Sequence, residues 1–345
     1  MRVRTVDDGR VHRLTARQVN LLLELLVVGA LLSGLISWAV GDRWSSALVI
    51  THGVFGLALL LVAPAKVRGS VATGFRRRRA TRWVSAGFGV LVVVTVILGV
   101  VHSTGLWFGV GPWSSLWTHS LFGFAVVPLF VWHLVTRPVR PRIADLDRRA
   151  LLQTGVLAGA AATVYGAQEA LTTTTGLAGG DRRSTGSHEL ASNDPSRMPT
   201  VIWFNDRQPD VTSSASWRLV VGGRAVTIES LRSRTRPVVA TLDCTGGWWS
   251  EHTWDAVAVS ELLTEPSGRS VRVTSRTGYD RYFGRDELDS IYLAVGYGGQ
   301  PLRPGHGAPV RLIVPGRRGP WWVKWVTSVE PNDRPAWLQP PLPLT

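Results

Sequence analysis

The chain of 345 residues is 45% hydrophobic, yet it carries 38 Lys and Arg against 24 Asp and Glu, a formal net charge of +14. Its one cysteine excludes an intrachain disulfide framework. A mean hydropathy of +0.11 beside that charge implies two environments. The first ~170 residues hold uncharged runs too long and too many for the buried helices of a soluble domain.

Residues 1–18 are basic, with Arg2, Arg4, Arg10, Arg13 and Arg17. Five apolar spans follow at 19–40, 45–64, 83–103, 115–136 and 150–171. The first contains a single acid, Glu24, and the third, WVSAGFGVLVVVTVILGVVHS, contains no charge. The first four are expected to form a membrane helix bundle over 19–136. The loop 65–82 carries Lys66, Arg68, Arg76, Arg77, Arg78, Arg79 and Arg82, and residues 137–149 add Arg137, Arg140, Arg142, Arg148 and Arg149. The alternate loops hold only Asp42 and Arg43, and nothing charged between 103 and 118. By the positive-inside rule the N-terminus and both basic loops face the cytoplasm. The expectation is a multi-pass cell-membrane protein with lipid as a partner and its C-terminal domain outside the cytoplasm. Between two apolar spans, RRRR reads as an orientation signal and not as a nucleic-acid patch.

The fifth span, within 137–171, opens with DRRALLQTGVLAGAA. This resembles a twin-arginine export signal placed internally; two arginines that anchor a helix end are the other reading. Residues 172–200, rich in Gly, Ser, Thr and Asp, are expected to be a flexible linker. From 201 to 345 the pattern changes to short apolar or alternating runs between turns: VIWF, SWRLVV, RPVVATLDC, RSVRVTS, SIYLAVGY, PVRLIVPG and WWVKWVTSVE. A short helix is expected at 258–264, and the whole segment reads as one α+β domain.

Histidines are rare in spans and functional there by default. His52, His102, His119 and His133 lie in or at the ends of spans. At 1.5 Å per residue His52 sits about 21 Å above Lys66, His119 about 27 Å above Arg137 and His102 about 30 Å above Arg82. Those three cluster toward the outer side, and His133 lies near the inner one. The spacing resembles membrane b-type cytochromes, which implies a b-type haem ligated by His52 with His119 or His102. Hydrogen bonding within the bundle is the alternative role. No partner is found for His133.

The cysteine, Cys244, ends an apolar strand and enters the glycine turn TGGWW. It reads as a buried small hydrophobe, a nucleophile with His252 or His306 as base, or a soft metal ligand. The stretches RPVVATLDCTGGWWSEHTWDAVAVSELL and GYGGQPLRPGHGAPVRLIVPGRRGPWWVKWVTSVE resemble the molybdopterin-binding oxidoreductase domain of the sulfite-oxidase superfamily, over about 201–330. That resemblance implies an α+β domain with a mixed sheet and a molybdenum–molybdopterin cofactor, with Cys244 as the thiolate ligand of molybdenum. It implies that Asn205, His306, Arg311 and Lys324 hold the pterin. A soft thiolate suits a high-valent metal, and Arg and Lys suit the pterin phosphate.

The sequence also departs from the family. Sulfite oxidases carry an arginine for the anionic substrate five residues after the cysteine, and Trp249 stands there. Fifteen residues follow Glu330, so the resemblance is to the compact type, which includes a methionine-sulfoxide reductase. Trp248, Trp249 and Trp254 read either as an apolar substrate funnel or as packing. The function expected is reduction of a small-molecule S-oxide or N-oxide outside the cytoplasm. Electrons would come through the haem from the quinone pool or another membrane carrier. Sulfite-type oxidation, or a molybdenum enzyme whose bundle is only an anchor, are the alternatives.

Overall fold

The structure, a computed structural model, describes residues 14–39, 44–78, 80–110, 113–202, 206–210, 216–263 and 266–340. Five helices lie where the apolar runs are: α1 (Ala16–Ala39), α2 (Ser45–Lys66), α3 (Arg82–Thr104), α4 (Ser115–Thr136) and α5 (Arg148–Thr174). Each is long and apolar enough to cross a membrane by length and composition. Their ends follow local chemistry. The Ser114 hydroxyl accepts from the Trp117 amide (3.1 Å), and the Asp147 carboxylate from the Ala150 amide (2.7 Å), satisfying free N–H groups of the first turns. Gly105, left-handed at φ +71°, ends α3. Pro64 stands near the end of α2, which continues as a π-turn over Val67–Val71.

The bundle packs α1 on α2 and α3 on α4, with a shared apolar core that includes Leu26, Leu57, Val62, Val126 and Phe130. Large apolar side chains such as Leu32, Val90, Ile97, Val135 and Val156 remain exposed on the outside. A bundle of four helices was expected, but α5 joins it. It packs along α2, Ala161 is fully buried in the same core, and the Tyr165 ring lies where a Cβ on Gly53 would be, 2.5 Å away. Small residues of α5 and α2 let the backbones approach, which a reading by hydropathy alone does not register.

Residues 172–200 correct a second expectation. This stretch is packed against both halves and does not hang free between them. Arg182 donates to the Ser103 carbonyl (2.7 Å) and pairs with Glu169 (2.5 Å). Thr185 and Ser187 donate to the two carboxylate oxygens of Asp243 (2.7 and 2.8 Å). His188–Glu189 forms strand β1. Hydroxyls and glycines that look like linker composition here satisfy buried partners and make close turns.

The C-terminal segment holds two sheets. The first centres on β5 (Trp248–Ala258), an eleven-residue strand. Along one edge it pairs antiparallel with β4 (Arg236–Cys244) in unbroken register from Arg236↔Ala256 to Cys244↔Trp248. It also pairs with β8 (Tyr292–Tyr297, antiparallel) and with β1 (parallel); β8 in turn pairs with β9 (Gln300–Pro301) and β10 (Arg311–Ile313). The second sheet runs β3 (Arg224–Val226), β2 (Leu219–Val221), β11 (Val326–Asn332), β6 (Ser270–Ser275), β7 (Asp280–Phe283), with β2 and β11 parallel. Both sheets are therefore mixed, as expected, and a core including Trp254, Leu293, Leu312 and Val329 fills the domain.

The strands differ from the reading of the sequence in particular places. WWSEHTWDAVA, absent from the expected strands, forms one whose alternate residues Trp248, Ser250, His252 and Trp254 all face inward. The first residues of WWVKW form a turn over Gly319–Trp321, and β11 begins only at Val326. The expected helix at 258–264 is a single turn, Val259–Leu262. Val201 and Ile202 of VIWF are irregular.

Candidate active site

Cys244 closes β4 at the hairpin to β5. Its thiol is buried and Sγ accepts a hydrogen bond from the Gly246 amide at 3.3 Å. Burial pushes the thiol pKa up, against the opposing pull of that amide and of the Lys324 and Arg318 charges. A coordinated metal would reverse this, since a ligating thiol is deprotonated outright.

Beside it is a cavity of about 90 Å³ whose walls include Cys244, His306, Arg311 and Lys324. Four positions spread over eighty residues thus meet in one place. His306 ends a short turn, Pro304–His306, and shares a hydrogen bond from Nδ1 to the Tyr297 hydroxyl (2.7 Å), while its Nε2 is buried without a partner among the described residues. Burial, then the Arg311 and Lys324 charges, lower its pKa to about 3. Arg311, first residue of β10, donates from Nη1 to the His306 carbonyl (2.9 Å) and lies over the Trp254 and Trp322 rings at 5.2 and 5.5 Å. Its Nε has no partner among the described residues. Lys324 donates to the Val201 and Gly305 carbonyls (2.7 and 2.6 Å). Asn205 lies outside the described residues.

Burial and then Arg311 lower the Lys324 pKa to about 7, and burial lowers that of Arg311 to about 10. Neither cation has an ion pair among the described residues; Asp206 is the one acid in the cavity wall. Two desolvated cations with an orphaned guanidinium N–H and an orphaned imidazole nitrogen, next to one thiol, form a receptor for an anionic group plus a soft metal. The donor set fits a molybdenum–pterin phosphate.

The lowered Lys324 value has a pH consequence. The unfolded chain, with lysine near 10.5, binds more protons than the folded one above about pH 7. Stability of the cofactor-free protein is therefore expected to rise from about pH 7 toward 10, with the full penalty present below 7. A bound phosphate should remove that rise. Thermal unfolding at pH 7 and 9, with and without pterin, measures it.

Sequence reasoning missed the residues that hold the cysteine in place. Arg318, 2% exposed, donates to the Cys244 carbonyl (2.9 Å), the Ser187 hydroxyl (3.1 Å) and the Ser37 carbonyl of α1 (3.1 Å). It also pairs with Asp243 at 3.2 Å. Nothing local in GRRGPWW marks this role, because its partners are 74 to 281 residues away. Among the tryptophans, Trp248 lines the cavity, and Trp254 is fully buried with Nε1 donating to the Ala240 carbonyl (3.0 Å). Trp249, at the position of the expected substrate arginine, is outside the cavity wall, with Arg183 over its ring at 5.6 Å.

The cysteine loop rests directly on the helices. Trp38 of α1 donates from Nε1 to the Thr245 carbonyl (2.8 Å). Gly247 has φ +86°, and a Cβ there would lie 2.8 Å from Leu116 and 2.9 Å from the His102 ring. Gly247→Ala is expected to cost at least about 1–2 kcal/mol for the left-handed backbone alone. It should also lift the loop off α3 and α4, lowering the unfolding temperature of the full chain in detergent.

The histidines of the helix bundle separate into three roles. His52 and His119 face each other from α2 and α4 with ring centroids 5.8 Å apart. Each Nδ1 donates to a backbone carbonyl at 2.8 Å, that of Ala30 for His52 and that of Thr95 for His119. That fixes the tautomer and leaves each Nε2 with its lone pair, the state of a ligating imidazole. Gly34 and Gly99 stand against these rings, where a Cβ would come within 2.8 and 3.1 Å. The two rings meet edge-on, and each offers the type of nitrogen donor that a metal takes.

His102, expected as an alternative ligand, is engaged otherwise. Its Nδ1 bonds the Ser115 hydroxyl (2.8 Å), its ring meets His188 edge-on at 4.9 Å, and Gly247 covers it. Its position at the very end of α3 puts it into the contact between the halves, above the imidazole pair. His133 lies beside Phe88 (5.7 Å), its Nδ1 without a partner among the described residues.

Comparison with known proteins agrees with the cavity chemistry. Residues 206–337 match the family described as the oxidoreductase molybdopterin binding domain. The nitrate reductase [NADPH] of Fusarium oxysporum is 29% identical over 96 residues, 24% of this chain and 11% of that protein. The nitrate reductase [NADPH] of Mycosarcoma maydis is 43% identical over 49 residues, 14% of this chain and 5% of that one. The chain thus spans about a tenth or less of these curated relatives. Among solved structures, the sulfane dehydrogenase SoxCD of Paracoccus pantotrophus matches at 25% identity and TM-score 0.34, over 37% of this chain and 40% of that one. The matched segment encloses Cys244, His306, Arg311 and Lys324, so the cavity lies in the part of the chain that matches a molybdopterin-binding oxidoreductase domain.

Proposed function

We propose that the protein is a membrane-anchored molybdenum oxidoreductase that passes electrons from a membrane carrier, through a b-type haem at His52 and His119, to a substrate outside the cytoplasm. The observation that carries this reading is the seat of the Cys244 loop on the bundle, with Thr245 held by Trp38 and Gly247 laid on His102, directly above the facing imidazoles. An anchor alone would need no such contact at the metal-ligating loop. When bound, the molybdenum centre supplies two-electron oxygen-atom transfer and the haem supplies single-electron exchange.

The chain's own residues do the rest. Cys244 supplies the thiolate. Arg311, Lys324 and His306 bind and orient the pterin, together with Asn205 on the resemblance. Arg318 and Asp243 keep the cysteine carbonyl fixed. Met198, Val201, Ile202, Trp248, Tyr279 and Trp325 give the cavity an apolar wall. With both cavity cations assigned to the pterin, a neutral substrate fits better than an anion such as sulfite. The class is an S-oxide or N-oxide, reduced as R2SO + 2 H⁺ + 2 e⁻ → R2S + H2O.

Three measurements test the arrangement. Purified full-length protein should contain molybdenum and show a Soret band; absence of the band reduces the bundle to an anchor. A reporter fused after Thr345 should be active outside the cytoplasm, and one near Arg78 inside. Arg148→Lys with Arg149→Lys should block export of the C-terminal domain if the twin arginines are a signal. The reverse reporter pattern would sink the five-span topology.

A further inference from the structure

Glu24 and His133 have no part in the reading above, yet both open into one space. At the end of the bundle away from Cys244 is a cavity of about 440 Å³ between α1, α2, α3 and α4. Most of its wall is apolar, formed by residues such as Val27, Leu59, Ala63, Phe88 and Phe130. One end is polar, with Asn20, Glu24, Lys66, His133 and Arg137. Lys66 donates to the Asn20 side chain and Arg137 to the Thr81 hydroxyl, so these cations are engaged. Glu24 Oε1 and His133 Nδ1 are buried with no partner among the described residues. A carboxylate and an imidazole at the depth of apolar spans are costly unless something binds them. At its other end the wall includes Val94, next to Thr95, whose carbonyl holds His119.

We infer that this cavity is the site where a membrane quinol binds and is oxidised, an assignment that rests on the haem reading above. The occupant must have a polar head with two hydrogen-bonding oxygens and an apolar body, and it must reach the site from within the membrane. A quinol with an isoprenoid tail has that chemistry. Its two hydroxyls donate to the Glu24 carboxylate and the His133 imidazole, and its tail lies along the valine and leucine wall. In the reaction QH2 → Q + 2 H⁺ + 2 e⁻, both O–H bonds break. The protons pass to Glu24 and His133 and leave toward the basic-loop face. The two electrons would be taken up singly by a one-electron acceptor, a b-type haem that His52 and His119 would hold on the reading above. Proton release on the basic-loop side and reduction on the other then belong to one chain. The same geometry speaks against a second haem at this end, since His133 has no second imidazole facing it among the described residues.

The test uses full-length protein in detergent, with decylubiquinone and decylubiquinol as probes. Gly89 borders the cavity, is exposed and has open space where its Cβ would be, so Gly89→Phe is expected to narrow the cavity without a clash at the Cβ. Equilibrium dialysis should show decylubiquinone bound by the wild type and bound about tenfold more weakly by Gly89→Phe, a loss of ~1.4 kcal/mol. Glu24→Gln and His133→Gln should slow haem reduction by decylubiquinol about tenfold or more each, the worth of one charge-assisted hydrogen bond. Their dithionite-reduced spectra should be unchanged. Unaltered binding in Gly89→Phe, or unaltered reduction rates in both polar variants, overturns the site. So does a wild type whose cavity retains only phospholipid and does not bind the quinone. If no haem is present the relay fails, but the dialysis result still decides whether the cavity takes a quinone.

Discussion

Cys244→Ser is expected to abolish turnover while the pterin stays bound. The residues proposed to hold the pterin come from elsewhere: Arg311 on β10, His306 on the preceding turn and Lys324 ahead of β11. The serine hydroxyl can still accept from the Gly246 amide, so the loop should keep its shape. What it cannot do is donate electron density to a high-valent metal as a soft thiolate does. Loss of a mere supporting partner of a metal site costs about 10–100-fold, and loss of the ligand itself should exceed ~100-fold. Activity with the physiological or an artificial donor, read beside pterin content by fluorescence after release, decides the matter. Retained turnover with an unchanged molybdenum spectrum would remove the ligand assignment.

The second large effect is expected at the imidazole pair. His119→Ala removes the ring that faces His52 and frees the Thr95 carbonyl. If the pair ligates a haem, the b-type absorbance should vanish and turnover driven by the membrane carrier should fall to background. Turnover with an artificial donor acting directly at molybdenum should persist, because the Cys244 cavity is walled by residues of the C-terminal half. His102→Ala separates contact from ligation. It should leave the haem spectrum in place, since His102 bonds Ser115 and packs under Gly247, while weakening the seating of the cysteine loop. Loss of the haem in His102→Ala with retention in His119→Ala would exchange their roles.

These expectations depend on contacts that differ in how far they could be read from residue order. The five helices were legible because twenty apolar residues in a row have few alternatives in any environment. The Cys244 strand end, and the grouping of Cys244, His306, Arg311 and Lys324, were legible through the two long motifs, and the cavity unites all four. His52 and His119 were legible as candidates from depth along the helix, which follows from the helical rise alone.

Other features became visible only in three dimensions. His102 lies at a similar depth to His119, and rise per residue cannot distinguish them; the direction each ring takes from its helix does. Arg318 is one of two adjacent arginines in a glycine-rich turn, and its work as an anchor of the Cys244 carbonyl depends on Asp243, Ser187 and Ser37 arriving from three other segments. Residues 172–200 have the composition of a linker, because the hydroxyls and glycines that make a flexible chain also satisfy buried acceptors and fit close approaches. Sequence by itself determined which segments are apolar, where the charges lie and which motif surrounds the one thiol, since these depend on neighbours along the chain. The tertiary structure decided that the thiol's loop rests on the helix ends above two facing imidazoles. Side-chain direction and long-range packing set that contact, and neither is encoded in any single stretch of residues.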